Sequence, residues 1–138
     1  MTNDALSPEE AFVRSFVLPG ERRRLLWLLS HGPERRAEFL DRLNHWVSPD
    51  PRYAQLLKDK QSLTSGVEQL LRSKGSPEEV YVVSDGDREI DGRRMPLGEA
   101  IRRLRDTGFG GLVSCIPGRL VYYQMEAGEN SYLLERMT

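Results

Sequence analysis

The feature that most constrains this chain is a change of hydrophobic pattern near Gly75. Before it, apolar residues recur three and four positions apart, as on one face of a helix. After it, from Val80-Tyr81-Val82-Val83 onward, they come in short β-branched and aromatic runs. A chain built this way places helices first and a sheet second, so the sequence predicts an α+β fold.

The helical half divides at its prolines and glycines. Ser7-Pro8-Glu9-Glu10 combines an N-cap, a proline at the first helical position and a capping-box glutamate, followed by a stripe of Phe12, Val13, Phe16 and Val17. A second helix is expected over about Glu21–Ser30, with Leu25, Leu26, Leu28 and Leu29 inward and a break at His31-Gly32-Pro33. A third starts at Pro33 and carries Phe39, Leu40, Leu43, Trp46 and Val47. The turn Ser48-Pro49-Asp50-Pro51 leads into an expected short helix with Tyr53, Leu56 and Leu57. Leu63, Val67, Leu70 and Leu71 mark another, closed by Lys74-Gly75.

Beyond Gly75, Val80–Ser84 reads as a strand, and Asp85–Arg94 as a polar loop or small hairpin with Asp91-Gly92 at its turn. Leu97, Ala100, Ile101 and Leu104 define a helix ending at Thr107-Gly108. Gly111–Ile116, Leu120–Met125 and Tyr132–Glu135 form a meander, turning at Pro117-Gly118 and Ala127–Asn130. The second half is therefore expected to be β-α-β-β-β. A right-handed crossover through its helix would make the first two strands parallel and the sheet mixed. One helix covers only one sheet face, so the N-terminal helices, four to five of them, should cover the other. The expectation is a single α+β domain over 1–138, with a helical part over 1–75 and a β-α-β-β-β part over 76–138.

Composition narrows the function classes. A chain of 138 residues buries roughly two-thirds of its unfolded surface, enough for a core without staples. The single cysteine, Cys115, rules out an intramolecular disulfide and a thiolate zinc cage. The longest apolar run, Leu25–Leu29, is far short of the roughly 18 residues that span a bilayer, so no membrane role is expected. Met1-Thr2-Asn3-Asp4 has an acid where a secretory signal has bases, which points to a cytoplasmic location. A formal net charge of −1 offers no global attraction to nucleic acid.

Several local groupings carry chemical meaning. Asp85, Asp87, Glu89 and Asp91 alternate in one loop, as carboxylates do around a hard cation. Glu89 and Asp91 fall at the third and fifth positions of the calcium-loop template started at Asp87, with Gly92 at the sixth. The twelfth position is Gly98, and Glu99 comes one residue late. Arg88, Arg93 and Arg94 stand beside the acids, so a solvated, internally neutralised loop is the plainer reading, with no metal or other cofactor. Cys115 sits mid-strand, and His31 and His45 lie in the helical half, so neither a Cys-His nor a Ser-His pair is apparent. Gly108-Phe109-Gly110-Gly111 runs from helix to strand, the reverse of a phosphate-cradling loop.

Arg22-Arg23-Arg24 with Arg35-Arg36, and Arg102, Arg103 and Arg105, form two basic clusters. Nucleic-acid binding would need both on one continuous face, and each has acids at helical spacing, so it is not the favoured reading. Arg23, Trp27 and His31 recur four apart on the second helix, away from most of its leucines. A tryptophan on a basic face is a frequent binding anchor; the plain alternative is a central helix that buries Trp27. Tyr122 and Tyr123 point to opposite sides of their strand, so one is expected in the core and the other at solvent or a partner. That corner, with Tyr132–Glu135 as an open edge, is also where a homo-oligomer would form.

These readings favour a small, non-catalytic, cytoplasmic protein of bacterial type that acts by protein–protein contact, as an adaptor, regulator or inhibitor. Its contact residues would be Arg23, Trp27, His31, Tyr122 and Tyr123. The rivals are a metal-dependent hydrolase on the loop 85–91 and a nucleic-acid binder using the arginine clusters.

Overall fold

A computed structural model describes residues 6–45, 47–58, 63–126 and 130–136. The elements run α1 (Pro8–Phe16), α2 (Pro19–Leu29), α3 (Pro33–Arg42), β1 (Ala54–Leu56), α4 (Thr64–Ser73), β2 (Glu79–Ser84), β3 (Arg93–Pro96), α5 (Leu97–Thr107), β4 (Gly111–Ile116), β5 (Leu120–Gln124) and β6 (Ser131–Glu135). The α+β reading holds, with four helices before β2 and a fifth inside the sheet region. The capping box at the start of α1 forms as expected: Ser7 Oγ accepts from the Glu10 amide (3.1 Å) and donates to its carboxylate (3.2 Å). The third helix stops at Arg42, short of the Leu43 and Val47 it was expected to carry, with 43–45 in a turn; Trp46 and residues 127–129 lie outside those described.

The sheet differs from expectation in one informative way. It has six strands in the order β1-β6-β5-β4-β2-β3, and every pairing is antiparallel. The sequence reading made β2 and β4 parallel neighbours. In fact β2 turns back through Asp85–Gly92 into β3, pairing Val82 with Arg93 and Val80 with Met95, before α5 begins. The α5 crossover therefore joins β3 to β4, which run in the same direction on either side of β2. β3 was hidden because Arg93-Arg94-Met95-Pro96 is an edge strand, with only Met95 buried.

The segment with Tyr53, Leu56 and Leu57 is also strand, not helix. β1 pairs with β6, Ala54 opposite Leu134 and Leu56 opposite Tyr132. Tyr132–Glu135 is consequently an interior strand, and the sheet's edges are β1 and β3. A strand from the helical half thus closes the end of the sheet that the sequence left open.

Helices cover both faces of this sheet. On one, α4 (Val67, Leu71) and α5 (Leu97, Ile101, Leu104) pack on Val82, Val113, Cys115, Tyr122 and Leu133. On the other, α1 (Phe12, Phe16), α2 (Leu25, Leu28) and α3 (Phe39) pack on Val83, Leu112, Val121, Tyr123 and Leu134. Successive strand residues alternate between the two cores, as a pleated strand buried on both sides requires. None of the described residues forms a helix long and apolar enough to cross a membrane.

Candidate functional site

The two-sided cover decides the fate of the tyrosine pair. Tyr122 and Tyr123 are 1% and 0% exposed, so neither ring is presented to solvent or a partner. Tyr122 Oη donates to Gln124 Oε1 (2.8 Å) and accepts from Arg105 (3.0 Å), while Tyr123 Oη donates to the Leu43 carbonyl. Both are core residues with satisfied hydroxyls, one in each hydrophobic layer. Neither is retained as a contact residue.

The acidic loop joins β2 to β3, and its four carboxylates divide among three sets of partners. Asp85 accepts from Asn44 Nδ2 (2.9 Å). Asp87 and Glu89 each pair with Arg103 (3.2 Å). Asp91 turns inward to accept from the Ser84 amide (3.0 Å) and from Arg36 (2.9 Å). The neutralising cations come from α3 and α5, not from Arg88, Arg93 and Arg94, because those three point outward along the exposed loop and edge strand. Among the described residues no three His, Cys, Asp or Glu side chains converge as a metal site would need.

Arg36 does more than neutralise Asp91. It also pairs with Glu9 (2.9 Å), which is 5% exposed and accepts from Tyr81 Oη (2.9 Å). Desolvation works against the guanidinium charge, but Asp91 and Glu9 outweigh it and hold the Arg36 pKa above its ordinary value. Burial, then the Glu9 carboxylate, pushes the Tyr81 hydroxyl up to about 12. The cluster ties α1, α3, β2 and the acidic loop together without leaving a reactive group exposed.

Cys115 is 4% exposed in the central strand β4, and burial pushes its thiol up to about 11. It faces the α4/α5 core, whereas the turn carrying His31 and the turn after α3 carrying His45 belong to the layer on the other face. A thiol so placed is no nucleophile at neutral pH. The arginine clusters are similarly divided, with Arg22–Arg24 and Arg35–Arg36 in the α2/α3 layer and Arg102, Arg103 and Arg105 on α5, across the sheet. They form no continuous face. Most of their charges are also engaged, Arg22 by the Val17 carbonyl (2.8 Å) and Arg105 by Tyr122.

What remains outward and assembled is the surface of α2. Trp27 is 38% exposed. The leucines at 25 and 28 already fill the core side of this helix, so the indole lies on its far side, toward α3. His31, beyond the helix end, stacks on the indole with centroids 4.2 Å apart and planes at 22°. Its Nδ1 sits 2.7 Å from the Trp27 carbonyl and 2.9 Å from Ser30 Oγ, which sets the ring against the end of the helix. Arg24 and Arg35 place their guanidiniums 4.9 and 5.5 Å from the ring centroid. Glu38 on α3 ties the cluster together, meeting Arg24 (3.2 Å), Arg35 (3.4 Å) and Arg42 (3.3 Å). Against the upward push of desolvation, Arg24 and Arg42 hold its carboxyl below the usual carboxylate range.

Beside the indole lies a shallow depression of about 410 Å³ bordered by Gly20, Arg23, Arg24 and Trp27. A Cβ added at Gly20 would meet nothing within 4 Å. The expected stripe of Arg23, Trp27 and His31 is therefore real, but its members do different things. His31 and Arg24 hold the ring, and Arg23 borders the open depression with no ion-pair partner among the described residues. Arg24 and Arg35 were missed as ring partners because a spacing-of-four rule skips the neighbour three residues back and cannot see across to α3. Set against protein-family models, curated proteins and solved structures, the chain matches none of them.

Proposed function

We propose that this protein is a non-catalytic binding module that works by protein–protein contact through the α2 surface centred on Trp27. The observation that carries the reading is an exposed indole locked in place by His31, Arg24 and Arg35 beside an open depression. Tryptophan and arginine dominate binding energy at protein interfaces, and a pre-ordered side chain loses little entropy when a partner covers it. The hydrolase reading lacks this kind of support, since the acids of the loop 85–91 are taken up by Asn44, Arg103 and Arg36.

The test places a photo-cross-linking benzophenone side chain at Gly20, where there is open space, in the full chain exposed to an extract of the cells that make it. A discrete protein adduct should form from position 20 and not from position 102 on α5. It should disappear in a Trp27→Ala background. That substitution removes a partly exposed ring and its cation–π contacts, so it should cost less than about 1 kcal/mol of folding stability. No adduct, or one indifferent to Trp27→Ala, overturns the proposal.

A further inference from the structure

Deepening that reading, and resting on it, we infer that the Trp27 depression receives an acidic peptide segment, whose carboxylates meet Arg23 and Arg24 while an apolar side chain covers the indole edge. The first support is charge. Around the ring and the depression stand Arg23, Arg24 and Arg35, and among the described residues the acid paired with any of them is Glu38, which Arg24 and Arg35 share with Arg42. Glu21, on the same helix, is turned away to accept from the Ser48 amide (3.0 Å). Glu34, exposed on α3, trims this excess without reversing it. The surface is cationic on a chain whose net charge is −1, so the excess is local to this site.

The second support is geometry. Guanidinium forks match carboxylates in a plane with two parallel hydrogen bonds, so two adjacent arginines read acidic side chains spaced along a peptide. Glycine at position 20 leaves the depression open, with room for a peptide backbone to approach closely. The indole supplies the apolar contact that gives such a segment an anchor.

A nucleic acid would suit the same charge less well. Base stacking needs a free aromatic face. Here Arg24, one turn before Trp27, and His31, four residues after it, lie against the ring. The α5 arginines, which would have to share this face to track a phosphate backbone, lie across the sheet.

The experiment is fluorescence anisotropy of the full chain with three probes: a short labelled peptide with glutamates flanking one phenylalanine, its twin with glutamine for every glutamate, and a single-stranded oligothymidine. The acidic peptide should bind most tightly, its twin at least tenfold more weakly, and affinity should fall as salt rises. Arg23→Glu should weaken the acidic peptide about tenfold or more, a change of 1.4 kcal/mol or more in binding. Trp27→Ala should weaken it by a similar factor with the circular dichroism unchanged. Arg102→Glu should change nothing. Equal binding of both peptides, a preference for oligothymidine, or no binding of the acidic peptide while position 20 still cross-links a Trp27-dependent partner each overturns the acidic-segment inference and leaves the contact surface standing. Absence of both the cross-link and peptide binding removes the two together.

Discussion

Asn44, buried just past the end of α3, joins three separate parts of the chain. Its Nδ2 donates to Asp85 Oδ2 (2.9 Å) and to the Asp41 carbonyl (3.0 Å), and its Oδ1 accepts from the Gly110 amide (2.6 Å). A Cβ at Gly110 would lie 2.5–2.6 Å from the Leu43–Asn44 backbone, so glycine there is what allows the approach. Asn44→Asp keeps the oxygen facing Gly110 but sets a second one against the Asp85 carboxylate and the Asp41 carbonyl. Two donors are lost and a like-charge pair is made, at a cost of about 2–4 kcal/mol at neutral pH. The repulsion raises the pKa of the pair in the folded state, so the folded protein binds the extra proton more readily and stability recovers as pH falls toward about 5. Urea melts at both pH values check this: Asn44→Ala should be destabilised without that recovery, and a pH-independent Asn44→Asp would refute the account. Nothing in the sequence marks Asn44, because an asparagine after a helix reads as an ordinary cap. Trp27 and His31 were legible because their partnership is local, four residues apart across the end of one helix.

The elements show the same division between local and distant causes. β2, β4, β5, β6 and α5 are written in runs of apolar residues long enough to fix their period. β1 was misread because Tyr53, Leu56 and Leu57 fall at helical spacing over a stretch too short to choose, and pairing with β6 decides the matter. The tyrosine pair was misjudged for a tertiary reason: only the packing of α4 beside α5, opposite α1–α3, makes both faces of β5 interior. Arg36 is the clearest link between elements. Arg36→Ala leaves the buried Glu9 with only the Tyr81 hydroxyl, and should cost about 2–3 kcal/mol, discounted for the partial exposure of the arginine. A Glu9→Gln/Arg36→Ala double variant should recover part of that loss in a double-mutant cycle; strict additivity would show the pair to be uncoupled. Tyr81 adds a pH signature. Its pKa is raised from 10.0 to about 12 on folding, so its contribution is full below pH 10 and is lost between 10 and 12, where the unfolded chain ionises first. Tyr81→Phe should flatten alkaline unfolding over that window, and an unchanged slope would contradict it.

For the whole molecule, the boundary near Gly75 that organises the sequence is not a boundary in the structure. β1, from the first half, completes the sheet beyond β6, with the Glu135 amide donating to the Tyr53 carbonyl and the Leu57 amide to the Ser131 carbonyl (both 2.9 Å). The face of Leu112, Val121, Tyr123 and Leu134 is buried by α1–α3, while α4 crosses to the opposite face and packs with α5. The two cores therefore share one set of strands, and opening either exposes the back of the other. A fragment over 76–138 should accordingly fail to fold alone, showing no cooperative melt, although it holds five of the six strands. The full chain should lose helix and sheet together. Cys115 offers an independent probe of that coupling, since it lies in β4 at the middle of the sheet and is 4% exposed. Its reaction with a thiol reagent should be negligible in the native protein and rise along the same denaturant curve as the helical circular dichroism. If helicity falls at lower denaturant than thiol reactivity rises, the helical half opens by itself. The shared strands would then bind the halves less tightly than the alternation of Tyr122 and Tyr123 between the two cores implies.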